Sequence, residues 1–228
     1  MGRLTAIVLG AAAGGGFPQW NCRCPVCRLA WEADPRVARS TQASLAITVD
    51  GRRFTLLNAS PDLREQIAAT PALEPQAGLR GSPIAAVLLT GGEIDQTAGL
   101  LALRERHAFT ISGTTATLAA VAANPMFNAL AADVVTRRAC AIGAPIALAD
   151  GLTAELFTVP GKVPLYLEGD DPDLAAETEA NVGIEVTAGG RRLAFVPGCA
   201  AVTPALKARL ARAAPVARPV REPSLQET

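Results

Sequence analysis

Short apolar runs broken by strong turn signals fill this chain, and they limit it to a sheet-based fold. Asp50-Gly51 separates residues 44–49 from residues 54–57, and Ala188-Gly189-Gly190 separates 182–187 from 193–196. Both read as β-hairpins, because Asp-Gly and Gly-Gly accept the backbone angles of tight hairpin turns. Further strands are expected over residues 4–9, 84–89, 146–148, 154–159 and 165–167. The run at 84–89 is short and apolar enough to be buried on both faces. Helices are expected between the strands. Ser60 caps and Pro61 opens one that runs to Ala68; a second covers 97–105. Thr114 or Thr115 caps a third, which must end before Asn124-Pro125, and 204–212 forms a fourth. Neither an internal repeat nor a linker is visible. Hairpins with intervening helices argue a mixed α/β sandwich in one domain.

Composition agrees. Of 228 residues, 50% are hydrophobic and only 18% charged, enough for a sizeable core built mostly of Ala, Val and Leu. Basic and acidic residues balance at 21 each, which leaves no footprint for nucleic acid. The absence of an 18-residue apolar run predicts no membrane span, and the first nine residues lack a signal-peptide core. Five cysteines, three of them clustered, suit a reducing, cytoplasmic setting with a metal site better than a disulfide framework.

That cluster lies in Gly14-Gly15-Gly16-Phe17-Pro18-Gln19-Trp20-Asn21-Cys22-Arg23-Cys24-Pro25-Val26-Cys27. The spacing is C-x-C-x-x-C. Three thiolates this close can face one centre, and soft sulfur suits zinc or an iron–sulfur cluster. The bland alternative is a set of ordinary buried thiols; Pro25 and the two-residue gap favour a ligand knuckle. The glycines ahead of it match neither G-x-G-x-x-G nor a Walker loop, and no helix is expected after them. They read as a loop that lets backbone pass close beside a pocket.

The same stretch resembles the opening of the pyrroloquinoline quinone (PQQ) biosynthesis protein B family, of the metallo-β-lactamase fold superfamily. The resemblance continues through LLNASPDLREQIAAT (56–70), SPIAAVLLTGGEIDQTAGLLALRER (82–106), ANPMF (123–127), VPGKVPLYLE (159–168) and FVPGCAAVT (195–203). It extends to about Leu210. It implies a metallo-β-lactamase-like αββα sandwich over 1–210. It also implies a structural zinc on Cys22, Cys24 and Cys27, with the fourth ligand beyond Leu210. The role it implies is in PQQ synthesis. One form is metal-dependent oxidation or hydroxylation of the ring of a Glu–Tyr-derived precursor. The other is carriage of PQQ or that precursor towards the periplasm. Its implied partners are PQQ or its precursor and other proteins of the same synthesis.

The superfamily's histidine-rich loop falls on Thr90-Gly91-Gly92-Glu93-Ile94-Asp95-Gln96, where a strand passes into a helix. Its histidine positions read Gly91, Glu93 and Gln96, and only Asp95 fits. Glu93, Asp95 and Gln96 are thus the catalytic positions, in degenerate form. Two carboxylates can hold a weak Mg²⁺, Mn²⁺ or Fe²⁺, or merely cap the next helix. The chain has a single histidine, His107, so neither a His₃ zinc site nor a two-His-one-carboxylate iron site can form within it. Iron of the intact family is therefore not expected to bind tightly here. Following Arg104-Glu105-Arg106, His107 reads as a surface or helix-end residue. Nucleophilic hydrolysis lacks a G-x-S-x-G elbow.

Asp62, Arg64 and Cys199 are the expected substrate-pocket residues. Cys199 otherwise reads as a small buried side chain, Cys140 reads as packing, and Lys162 offers a cation to an acidic substrate. After Leu210 three prolines fall within nine residues, at 215, 219 and 223, which rules out a buried strand. Residues 211–228 are expected to be a disordered tail, and the domain to be C-terminally truncated, by a shifted frame or naturally. Such a sandwich exposes a sheet edge and should self-associate. The alternative to a working PQQ-synthesis protein is a catalytically inactive, truncated binding module or remnant of that family.

Overall fold

The computed structural model describes residues 2–76, 78–161 and 176–213. Two sheets pack face to face. The first contains Thr5–Gly10 (β1), Ser44–Thr48 (β2), Phe54–Leu57 (β3), Ile84–Leu88 (β4), Phe109–Gly113 (β5) and Val135–Ala139 (β6), in that spatial order. Strands β1 to β3 are antiparallel, while β3 to β6 run parallel. The second sheet is antiparallel: Pro145–Ala147 (β7), Thr153–Pro160 (β8), Glu177–Ala188 (β9) and Arg191–Phe195 (β10), ordered β10-β9-β8-β7. The helices are Pro25–Trp31 (α1), Leu63–Ala68 (α2), Ile94–Thr97 (α3), Thr115–Ala122 (α4) and Pro204–Leu210 (α5); a 3₁₀ segment, Ala98–Leu103, continues α3.

The period-2 alternation of strands sorts side chains into two cores. Leu45, Ile47, Leu57 and Leu88 point from the first sheet toward Leu156, Ile184 and Val186 of the second. Their neighbours Ala46, Phe54, Leu56 and Val87 point the other way, onto Leu63, Leu73, Leu100 and Val121 of the helical layer. Every residue of β2 and β3 is therefore buried. On the far side, Leu206 of α5 packs against Phe157 and Val159. Arg209 supports that contact: its guanidinium lies 4.5 Å from the Phe157 ring centroid and 2.9 Å from Glu155. The layers are helix, sheet, sheet, helix, the αββα arrangement expected.

Both hairpins form. Ala188 pairs with Arg191 across Gly189 and Gly190, whose φ angles of +54° and +76° meet the demand of a two-residue turn for two left-handed residues. Gly51 turns the first hairpin at φ +71°, with Asp50 Oδ1 accepting from the Arg52 and Arg53 N–H groups at 2.8 and 3.0 Å. Thr114 caps α4 through the Thr117 N–H at 3.1 Å.

Four expectations need correction. Ser60 is not a helix cap: it is buried, its carbonyl accepts from Leu63, and α2 begins only at Leu63 because a turn comes first. The helix expected over 97–105 is α3 plus the 3₁₀ segment, starting at Ile94 and ending at Leu103. A helix does follow the glycine loop, since Pro25 opens α1. Strands β5 and β6 were not expected; β6 (VTRRA) is an outer strand of its sheet with only Val135 buried, so it has no apolar pattern to read. Lys162, the strand expected at 165–167 and tail residues 214–228 lie outside the described residues.

Candidate metal centre and strand-end site

Cys22, Cys24 and Cys27 converge: their Sγ atoms all lie within 4.8 Å of one another. Local structure explains this. Pro25 starts α1, which leaves Cys24 at the helix N-cap with its Sγ accepting from the Cys27 N–H at 3.5 Å. Cys22 Sγ accepts from the Cys24 N–H at 3.5 Å. The Trp31 indole N–H, one turn past the cluster, donates to the Cys22 carbonyl at 3.0 Å and ties helix to loop. The hydrogen bond from the Cys27 backbone, then the neighbouring sulfurs, hold the Cys24 thiol below the ordinary cysteine range. Cys27 is pulled down by the Gln19 backbone, yet burial and the Cys22 and Cys24 sulfurs push it up overall. A cation held between the three sulfurs would favour all three thiolates. Zinc fits: bonds of roughly 2.3 Å at tetrahedral angles place sulfurs about 3.8 Å apart, inside the observed spread. Among the described residues no fourth His, Cys, Asp or Glu joins the group.

A second constellation gathers at the C-terminal ends of the parallel strands, where ligands bind in open α/β sheets. The turns after β3 and β4 are locked together by Asn58 and Thr90, both buried. The Thr90 N–H donates to Asn58 Oδ1, and Asn58 Nδ2 donates to Thr90 Oγ1, each at 2.9 Å. Backbone bonds from Ala59 N–H to the Gln96 carbonyl (2.8 Å) and from Gly99 N–H to the Ala59 carbonyl (2.9 Å) tie the β3 turn to α3. Asp62 and Asp95 thereby face the same region. Asp62 Oδ2 accepts from the Gln42 backbone N–H at 2.9 Å and its side-chain amide at 3.1 Å. Gln42 Oε1 in turn accepts from Gly15 N–H at 3.2 Å. The glycine loop does pass close: a Cβ on Gly14 would lie within 2.3 Å of Asp95 Oδ2. Burial, and then the charge of Asp62, push the Asp95 carboxyl above the ordinary aspartate range.

Glu93 occupies the N-cap of α3, and its N–H donates to Gln96 Oε1 at 3.2 Å. Helix capping thus engages Gln96, while Asp95 is half-buried against the glycine loop rather than solvated. Asp62 acts on Asp95 through its charge, and Glu93 and Gln96 flank Asp95 at the start of α3. Arg64 is exposed on α2, and among the described residues no hydrogen bond or ion pair joins it to that group. Cys199 is exposed, which corrects its reading as a small buried side chain; its neighbour Ala200 donates to the Pro160 carbonyl at 2.8 Å. Cys140 is buried between the sheets, as expected of packing. Gln42 was not foreseen, because a polar residue ahead of a strand carries no signal until Asp62 is placed beside it.

A family model for the β-lactamase superfamily domain matches residues 53–220. The coenzyme PQQ synthesis protein B of Methylobacterium nodulans is 56% identical over 208 residues, covering 91% of this chain and 70% of the relative. The crystal structure of Zn²⁺-bound PqqB from Methylobacterium extorquens superposes with a TM-score of 0.89 at 54% identity, covering 92% of this chain and 70% of that one. A diphosphatase of the PhnP family, at 20% identity and a TM-score of 0.57, shares the fold alone. The sandwich is therefore a metallo-β-lactamase fold, and the chain belongs to the coenzyme PQQ synthesis protein B family.

Proposed function

We propose that this protein acts in PQQ synthesis, on or as a carrier of PQQ or its Glu–Tyr-derived precursor, with a structural zinc held by Cys22, Cys24 and Cys27. The observation that carries this reading is the 56% identity over 208 residues to a PQQ synthesis protein B. The convergence of the three sulfurs supports the zinc, and so does the Zn²⁺-bound state of the similar PqqB. Zinc on these thiolates would fix α1 against the loop that leads to Gly14 and Gly15. Those two residues contact Asp95 and Gln42 at the strand-end site. There Asp62 and Asp95 present carboxylates, one satisfied by Gln42 and the other raised above the ordinary aspartate range by burial and by the Asp62 charge. Such a pair favours a cationic or hydrogen-bond-donating group over a bare anion.

A second reading, a binding module that performs no ring oxidation, is favoured by the donor set. Gln96 stands where an imidazole would be needed and engages the Glu93 N–H, while His107 lies at the opposite end of the sheet. Two carboxylates without imidazole make a weak site for first-row metals.

Complementation of a strain lacking its PQQ synthesis protein B tests the reading. Restored quinone output is expected, and no restoration by well-expressed protein would overturn it. Zinc quantified in the purified protein should fall on Cys24→Ser; equal zinc in both proteins would remove the metal from the proposal.

A further inference from the structure

The sole histidine takes no part in the strand-end site. His107 lines a cavity of about 360 Å³ at the opposite pole, where β4 and β5 begin. Ile84, the first residue of β4, and Phe109, the first of β5, form its floor, and Leu73 and Leu103 form walls. The five residues of β4, at about 3.3 Å each, separate this cavity from the Thr90–Gln96 loop by roughly 16 Å. Its volume falls within the range of small-molecule sites, and its lining is mainly apolar.

Three ionisable side chains stand around it: Arg80, Glu105 and His107. Glu105 has a cation beside it, since Arg104 Nη2 lies 3.8 Å from its carboxylate. Among the described residues neither the Arg80 guanidinium nor the His107 ring has a hydrogen bond or an ion pair. An apolar pocket bordered by an uncommitted guanidinium and an uncommitted imidazole is matched by an apolar body that ends in an acidic group. Arg can take that group in a two-pronged, charge-assisted contact.

We propose that this cavity is a second ligand site, separate from the strand-end site, for a small carboxylate with an apolar or aromatic body. Its body would lie on Ile84, Phe109 and Leu103, and its carboxylate would meet Arg80 and His107. This site does not depend on the PQQ reading.

Calorimetric titration of the whole protein with 4-phenylbutyrate and octanoate, and with octanol as the uncharged counterpart, tests it. Both carboxylates should bind, and more tightly than octanol. Arg80→Gln should weaken the carboxylates about ten-fold, the loss of one charge-assisted contact, and leave octanol unchanged. His107→Gln should weaken them several-fold. Ala102→Phe, which fills the cavity, should abolish binding of all three. Arg80 is exposed, so its variant will fold even if the filled-cavity variant does not. No carboxylate binding at millimolar concentration would overturn the site. So would equal affinity for carboxylates and octanol, or carboxylate binding unchanged in both Arg80→Gln and His107→Gln.

Discussion

Gly99→Ala should destabilise this protein more than its chemistry suggests. Gly99 is the second residue of the 3₁₀ segment after α3, and its N–H donates to the Ala59 carbonyl at 2.9 Å. An added Cβ would lie within 2.1 Å of the Ser60 carbonyl oxygen, 2.7 Å from Leu63 Cβ and 2.9 Å from the Ala59 carbonyl carbon. Two of those three neighbours are backbone, and Ser60 and Leu63 are fully buried, so no flexible side chain can swing away. Contact distances of about 3.5 Å require the segments to part by roughly 1.4 Å. Overpacking of this kind costs about 1–3 kcal/mol, and the strained Ala59–Gly99 hydrogen bond adds about 1 kcal/mol. A loss of about 3 kcal/mol is expected, a large share of a typical 5–15 kcal/mol. It corresponds to a melting point about 6–12 °C lower for a domain this size. Urea unfolding should show a lower midpoint with an unchanged slope. Gly198→Ala is the control, because nothing lies within 4 Å of its Cβ; it should stay within about 0.5 kcal/mol of the parent. A Gly99→Ala cost below 0.5 kcal/mol would refute the claim that close backbone packing here holds Asp62 and α3 in place.

Asp95→Asn should stabilise the protein at neutral pH. Burial, then Asp62, raise the folded-state pKa of Asp95, so the stability tied to its neutral form is complete below about pH 4 and is lost as pH rises through the raised value. The gain from the amide should therefore shrink toward zero in acid, and a gain that grows in acid would contradict the assignment. Gln96→His should tighten Fe²⁺ or Mn²⁺ binding by adding an imidazole beside Glu93 and Asp95; sub-micromolar iron affinity in the parent chain would show that two carboxylates suffice. Strand β10 lies at the edge of its sheet among the described residues, so light scattering should find association, and a monodisperse monomer would dismiss that edge as a contact.

The hairpins, the paired apolar strands and the capped helix α4 were legible because each is fixed locally. Gly51, Gly189 and Gly190 accept the left-handed angles that tight turns demand, Thr114 Oγ1 accepts from an N–H three residues ahead, and short continuous apolar runs mark strands covered on both faces. The cysteine knuckle was legible for the same reason, since six residues cannot carry three sulfurs far apart. Strand β6 was not, because an outer strand needs no apolar alternation and VTRRA gives none. Nor was the start of α2, which follows a turn closed by the Ser60 carbonyl and the Leu63 N–H rather than a Ser60 side-chain cap.

The sequence by itself determined the two-sheet sandwich, the three-sulfur cluster and the family, each carried by local order along the chain. Tertiary structure alone decided that Gln42 secures Asp62, that Gly14 abuts Asp95, and that Asp62 and Asp95 press on each other. It also decided that His107 belongs to a cavity at the far pole and that Cys199 is exposed. The contacts of Gln42 with Asp62 and of Gly14 with Asp95 join residues 20 and 81 apart, and no spacing rule reaches that far. Only the stacking of strand ends in a closed fold brings such residues within hydrogen-bonding and Coulombic range.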